Sequence, residues 1–521
     1  MTINFSTAYA ETTPAKKGST STADHTKFEE LQQEFTTAPD VTKACLSCHT
    51  EASKQIHKTT HWNWKITHPE TGQALGKKKV INSFCGSITT NYARCTSCHI
   101  GYGWKDDSFD FASEENVDCL VCHDTTDTYK KYPTAAGHPT YKDKLFPPKK
   151  GKKLFKAPDL AKVAQNVGKP RRENCGVCHF YGGGGDGVKH GDLDSSMTNP
   201  PRSLDVHMGT DGLDFVCTEC HSTDGHDLKG SHYTSKGKDT HGIDVPGRDD
   251  ESRASCESCH GMQPHSATVN EKINDHTNKV ACQTCHIPYY ARGGVPSKTW
   301  WDWSTAGRMN ADGKHIKKKD ENGYVTYVTK KGTFEWGENL MPEYDWLAGD
   351  IRYQELEEKL DPNAIVQINT FRGSYDDPDA RIWPFKIMRG KQPYDKGNDT
   401  LVISHLFGKD SEAYWKSFDW DRAIKAAMGA AGAEYSGQHG FIETTMHWPL
   451  SHMVSPKEEA LGCADCHSKN GRLQELTGFY MPGRDKSSLL DLIGWLTVLG
   501  TLGGISVHGF GRIALRNRRK G

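Results

Sequence analysis

Cys95-Thr-Ser-Cys98-His99, Cys119-Leu-Val-Cys122-His123 and Cys175-Gly-Val-Cys178-His179 follow one another closely, and the same five-residue pattern recurs along the chain. It opens at Cys45-Leu-Ser-Cys48-His49 and returns at Cys217-Thr-Glu-Cys220-His221, Cys256-Glu-Ser-Cys259-His260, Cys282-Gln-Thr-Cys285-His286 and Cys463-Ala-Asp-Cys466-His467. With 17 Cys and 26 His in 521 residues, chance supplies such a string about 0.03 times; it occurs eight times. Only Cys85 lies outside the motifs, which excludes both a disulfide scaffold and an ordinary cytosolic enzyme. Two thiols three residues apart on a helical turn reach the two vinyl groups of one haem, and the adjacent His offers its imidazole to the iron. A zinc ribbon also uses Cys pairs, and a redox dithiol uses one. Neither requires a His after every second Cys.

The net charge of −1 points to no nucleic-acid partner. A mean hydropathy of −0.72 is low for a 58.0 kDa chain, so aliphatic side chains alone do not account for its core. Eight apolar macrocycles do. The expected fold class is therefore mainly α, a multihaem cytochrome c with short helices and long loops around eight c-type haems. Haem attachment of this kind takes place outside the cytoplasm, so an export signal is expected, and Ala8-Tyr9-Ala10 reads as the cleavage site of a signal-peptide remnant over 1–10. A Thr, Ser, Ala and Lys-rich linker over 11–29 then leads into a periplasmic haem domain over 30–486. Leu489 to Phe510 carries a single carboxylate, Asp491, and a single imidazole, His508, and its length suits one membrane crossing. That places an anchor over 487–510. Arg512, Arg516, Arg518, Arg519 and Lys520 in the 511–521 tail orient it with the haem domain outside. Gly500 and Gly504 permit close approach of another helix; His508 is either a ligand to a b-type haem shared with that helix or an interfacial His without metal.

Residues 287–462 carry no Cys but include Trp300, Trp301, Trp303, Trp336, Trp346, Trp383, Trp415 and Trp420. This reads as a lid or supporting layer over the haems, with a hairpin over Gly323–Thr333 and a helix over Asp419–Ala433. The eight motif histidines are proximal ligands. Candidates for the opposite axial position are His57, His61, His190, His207, His226, His232, His241, His265, His276 and His452. An iron bound by two imidazoles has no open position and transfers electrons only, so catalysis requires an exception among the eight.

The free Cys85 stands ten residues before Cys95, in Asn82-Ser-Phe-Cys85-Gly86. With the eight motifs and the string Cys178-His179-Phe-Tyr-Gly-Gly-Gly-Gly-Asp-Gly-Val-Lys-His190-Gly-Asp, it resembles the octahaem tetrathionate reductase family over roughly Cys45 to His467. That family is similar in haem layout to hydroxylamine oxidoreductases and multihaem nitrite reductases. The resemblance implies a catalytic second haem, here on Cys95, Cys98 and His99, with a distal lysine. It also implies an Asp three residues before that lysine and a Cys three residues after an Asn. Asn82 and Cys85 match the second pair; Asp159-Leu-Ala-Lys162 matches the first, with Lys169 as the alternative lysine. The implied function is a membrane-anchored periplasmic reductase of tetrathionate or of a small nitrogen oxyanion or hydroxylamine, fed by a quinol-oxidising or cytochrome b partner in the membrane. Two alternatives are a pure electron conduit, with all eight haems bis-His, and a hydroxylamine-type oxidase using a tyrosine such as Tyr435.

Overall fold

The chain, as a computed structural model, is described over residues 21–81, 86–147, 153–238, 253–265 and 267–518. Ala8-Tyr9-Ala10, Asn82, Cys85, His241, Arg519 and Lys520 lie outside these residues. The motif-bearing part is helical in short pieces. The motif turns fall in Tyr92–Cys95, Leu120–His123, Arg172–His179, Cys256–His260, Cys282–His286 and Cys463–Cys466, among others. Four of the turns close on their own histidine: the His49, His123, His221 and His467 amides donate to the carbonyls of Cys45, Cys119, Cys217 and Cys463 at 2.8 to 3.1 Å. One turn is all that three ligating side chains need, and the chain leaves helical geometry straight afterwards, as at His99 (ψ 145°).

Residues 297–449 depart from the expected mainly-α class. They form a nine-stranded sheet in the order Val366–Gln367, His439–Pro449, Arg381–Asp395, Ser297–Asp302, Gly332–Gly337, Val325–Val328, Lys317–Lys319, with Glu343–Leu347 and Thr400–Leu401 also pairing with Arg381–Asp395. The central strand, Arg381–Asp395, pairs antiparallel with His439–Pro449, setting Ile387 opposite His447, and parallel with Ser297–Asp302, setting Gly390 opposite Trp301. The physical reason is the missing motifs. Without macrocycles to wrap, this stretch must bury its own side chains, and Trp301, Trp303, Trp383, Phe385, Met388 and Trp448 form one core.

The expected helix is present over Trp420–Ala431. Asp419 caps it by accepting from the Arg422 amide at 3.0 Å, and Gly432 in the left-handed region (φ 68°) ends it. Trp420, Ala423, Ile424, Ala427 and Met428 form the stripe it buries against the sheet. The expected hairpin is the antiparallel pair Val325–Val328 and Gly332–Gly337. Two elements lie across the expected boundaries. Residues 21–29, placed in the linker, already carry the 3-10 turns His25–Lys27 and Glu29–Leu31, and Leu31 is buried. The C-terminal helix runs over Ser488–Arg518, beyond Phe510. An 18-residue window of it has a mean hydropathy of 1.6, and none of that window is buried.

Lys386 joins the sheet to the Gly-rich string. Its side chain is fully buried on the central strand, and its ammonium donates to the Val188 carbonyl at 3.2 Å. Burial pushes it down to about 7, against the opposing influence of Asp192 and Asp194. The unfolded chain therefore holds a proton between about pH 7 and pH 10 that the folded chain has released, so unfolding free energy should rise with pH across that window. Lys386→Met should remove a rise on the order of 4 kcal/mol, read as the wild-type minus variant difference in denaturant unfolding at pH 7 and pH 10.

Candidate functional site

The histidines meet in pairs. His49 faces His25 at 6.4 Å between ring centroids, His179 faces His61 at 6.0 Å, and His123 faces His226 at 6.4 Å. His260 faces His207 at 6.0 Å, His221 faces His452 at 6.4 Å, His286 faces His265 at 6.3 Å, and His467 faces His276 at 6.0 Å. A metal bound by two imidazole nitrogens at about 2 Å each separates the ring centres by about 6 Å. No hydrogen bond between the rings accounts for the spacing. Most of these rings are instead held from behind. The Nδ1 atoms of His123, His221 and His467 donate to the carbonyls of Gly168 (2.8 Å), Lys229 (2.9 Å) and Pro482 (2.9 Å). Those of His226, His265 and His452 lie against the side chains of Gln55 (2.7 Å), Asn274 (3.1 Å) and Asp192 (3.2 Å). Anchoring Nδ1 fixes the tautomer and aims Nε2 at the partner ring, the orientation a metal ligand requires. These residues fit haem iron.

His99 is the exception. Among the described residues no second imidazole is set opposite it. It is fully buried inside an aromatic shell of Trp62 (5.1 Å), Trp64 (5.3 Å), Trp104 (4.9 Å), Phe109 (5.6 Å) and Phe111 (6.3 Å). Burial pushes it down to about 3, so the ring is neutral. Its backbone is braced from below: Lys131 donates to the His99 carbonyl at 2.6 Å and pairs with Asp118 at 2.8 Å, and Asp118 also accepts from Tyr102 (2.6 Å) and Tyr129 (3.0 Å). Beside the shell lies a cavity of about 500 Å³ lined by Asn63, Lys65, Ile66, Thr67, Lys78, Lys79 and Phe111. Lys78 sits 4.5 Å from the Phe111 ring and is pushed down by burial and by neighbouring Lys79 and Lys65.

Cysteines of different motifs also touch. Cys45 lies beside Cys119, Cys98 beside Cys178, Cys175 beside Cys217, and Cys256 beside Cys282. Cys122 neighbours Cys175, Cys220 neighbours Cys259, and Cys285 neighbours Cys466. Together these contacts order the motifs as a row running from Cys45 through Cys119, Cys175, Cys217, Cys256 and Cys282 to Cys463. The Cys95 motif branches off at Cys178. Cys256, Glu257 and Cys282 cluster closely enough for a metal ion, but Arg381 pairs with Glu257 at 2.5 Å and both thiols belong to haem motifs.

The remaining expected residues are distributed differently. His57 stacks on Trp62 at 4.6 Å. His190 and His232 converge on Trp448 at 4.9 and 5.4 Å, where burial pushes His232 down to about 3. The structure sets no motif histidine opposite any of these three. Lys162 is exposed on the helix Leu160–Gln165, and Asp159 caps that helix by accepting from the Lys162 amide at 3.0 Å. The pair is a helix start, and among the described residues none of its polar contacts reaches the Cys95 motif. Lys169 is exposed as well. A second Asp-x-x-Lys lies inside the Gly-rich string, Asp186-Gly-Val-Lys189, where Lys189 reaches within 5.9 Å of the Trp448 ring and influences His190 and His232. Its spacing and its place in that string were available from sequence. His25 had no such signal, because its role depends on where the N-terminal segment folds.

Two family descriptions match the chain: "Cytochrome c bacterial" over residues 298–470 and "Outer membrane cytochrome MtrC/MtrF-like, domains II/IV" over residues 87–271. An uncharacterized protein of Archaeoglobus fulgidus is 24% identical over 263 residues, covering 43% of this chain and 86% of its own. The crystal structure of an octahaem cytochrome c from Shewanella oneidensis superposes with a TM-score of 0.74 at 43% identity, covering 86% of this chain and 95% of that one. The chain thus belongs to the octahaem tetrathionate reductase family of multihaem cytochromes c, oxidoreductases whose haem c is bound covalently through Cys-x-x-Cys-His motifs.

Proposed function

We propose that this chain is a membrane-anchored periplasmic reductase with eight haems, seven of them held by two imidazoles each, whose substrate site is the haem of Cys95, Cys98 and His99. The single observation carrying this reading is the arithmetic of the pairs: seven motif histidines face a second imidazole at 6.0 to 6.4 Å, and among the described residues His99 faces none. Haem held by Cys95, Cys98 and His99 would supply one-electron chemistry, and a substrate could bind there because among the described residues no second imidazole is set opposite His99. The pure-conduit alternative needs an eighth pair. The oxidase alternative needs a reactive tyrosine, but the Tyr435 hydroxyl is committed to Asp421.

The substrate we propose is tetrathionate. It takes up two electrons, its central S–S bond breaks, and two thiosulfate dianions leave. Lys65, Lys78 and Lys79 around the cavity beside the aromatic shell support an anionic substrate, since like positive charges converging there raise the local anion concentration. We assign the distal lysine to Lys189 and the accompanying carboxylate to Asp186. The contact between Cys98 and Cys178 brings the Cys95 motif against the segment from which the Gly-rich string departs. Lys189 would set a cation beside the negative charge developing on the leaving sulfur. Cys85, three residues after Asn82, remains the proposed thiol partner for the S–S bond.

The helix Ser488–Arg518 supports membrane anchoring. Its apolar window of 29 residues spans about 44 Å, enough to cross a hydrocarbon core of about 30 Å, and Arg512 and Arg516 mark the inner side.

Replacing Lys189 with Ala should convert one electron paramagnetic resonance signal to high spin, leave the others unchanged, and lower tetrathionate turnover about 10² to 10³-fold; Lys162→Ala should change neither. Retained low-spin signals and full turnover in the Lys189 variant would remove the assignment. His25→Ala should turn one different signal high-spin, that of the His49 site, while dye-driven tetrathionate reduction persists. Ending the chain after Lys486 should release a fully haem-loaded protein from the membrane with dye-driven activity intact.

A further inference from the structure

The motif farthest from His99 along the row of cysteine contacts is also the one nearest the apolar helix. Cys466 and Cys463 both neighbour Cys285, and the row of cysteine neighbours set out above reaches no motif beyond Cys463. It is also at the surface: Gly462 to Asp465 are exposed. From His467 a tightly pinned strap leads to the helix. The His467 Nδ1 donates to the Pro482 carbonyl at 2.9 Å. Gly483 (φ 85°) lies so close that a Cβ there would meet the His467 carbonyl oxygen at 2.3 Å. The Arg484 guanidinium donates to the Leu473 and Phe479 carbonyls (3.0 and 2.8 Å) and to Asp485 (2.7 Å). Only Lys486 and Ser487 remain before the helix begins at Ser488, and the Ser487 hydroxyl accepts from the Leu490 amide. Three residues span about 10 Å at most. The haem site at the end of the row is thus held within a few residues of the bilayer surface.

Resting on the anchoring proposed above, we infer that the haem site of Cys463, Cys466 and His467 is the port through which electrons enter, and that the donor is a quinol-oxidising protein embedded in the same membrane. One quinol, oxidised at that partner to quinone, releases two protons to water and two electrons. Both electrons pass along the row, and two are what one tetrathionate consumes. The partner must supply the quinol site, because among the described residues nothing packs on the apolar helix and a single exposed helix encloses no ring-sized cavity. The helix offers a surface for it: Thr497 and Thr501 turn their hydroxyls back onto the Ile493 and Thr497 carbonyls at 2.8 Å, and with Gly500 and Gly504 they leave a small-residue stretch for close helix approach.

The test uses the full-length, haem-loaded protein in its own membranes, following haem absorbance after addition of a short-chain quinol and, separately, of a reduced dye. A ten-residue Glu-Ala-Ala-Ala-Lys insert between Lys486 and Ser487 lifts the port by about 15 Å without removing the anchor. It should slow quinol-driven haem reduction at least tenfold while dye-driven reduction and membrane retention stay unchanged. Gly500→Leu with Gly504→Leu should reproduce that split. A quinol-driven rate within twofold of the unmodified protein in both variants would overturn the port. Haem reduction by quinol in lipid vesicles containing this protein alone would overturn the partner. A full-length protein that washes off membranes would overturn the anchoring and the port together, whereas loss of tetrathionate turnover with quinol-driven haem reduction intact would bear only on the substrate.

Discussion

Everything in this fold is subordinate to a separation of about 6 Å between imidazole rings, the distance at which two nitrogens can share one iron. The partners come from remote parts of the chain: His221 meets His452, His123 meets His226, and His276 meets His467. Because each motif occupies one helical turn and buries little on its own, such pairings set the packing of the motif-bearing part of the chain. The anchors behind the rings have the same purpose. An imidazole whose Nδ1 is committed to a carbonyl or carboxamide cannot turn away from its partner, so the ligand geometry is set by the protein before any chemistry begins.

The sheet over 297–449 gives that arrangement its rigidity. Asp192 illustrates how: buried next to the Gly-rich string, it accepts from the Ser451 and His452 amides at 2.7 and 2.8 Å and backs the His452 ring, tying the end of the longest strand pair to a ligand. Asn91, four residues before Cys95, reaches across to the sheet region, donating to the Ser404 carbonyl and accepting from the Leu406 and Phe407 amides. The layer is therefore a clamp on both the His221–His452 pair and the His99 motif. His99 differs from the other motif histidines in what surrounds it. Aromatic rings pack around it, its Nε2 donates to the Trp62 carbonyl at 2.7 Å, and lysines line the neighbouring cavity.

Much of this was legible in the residues themselves. The attachment sites, the apolar helix, the Asp419-capped helix and the hairpin near Gly332 follow from local spacing, since each is completed within one turn or one strand pair. Six of the ten candidate opposite ligands, among them His61 and His452, do face a motif histidine, whereas His57, His190 and His232 instead pack on tryptophan. The lysine was harder. Asp159-Leu-Ala-Lys162 and Asp186-Gly-Val-Lys189 are equal in spacing, and only the structure reveals the first as an exposed helix start and the second as half-buried beside Trp448.

By itself, then, the amino-acid sequence determined which covalent chemistry this protein carries and where its attachment motifs lie, because a thioether pair and its imidazole are specified within five residues. Tertiary structure alone decided which imidazole faces which, that His25 belongs among them, that among the described residues His99 stands without one, and that the motif-free stretch builds a sheet. The reason is physical. A second ligand, a strand partner or a buried lysine is selected by a distance across the fold, and neither composition nor spacing along the chain encodes that distance.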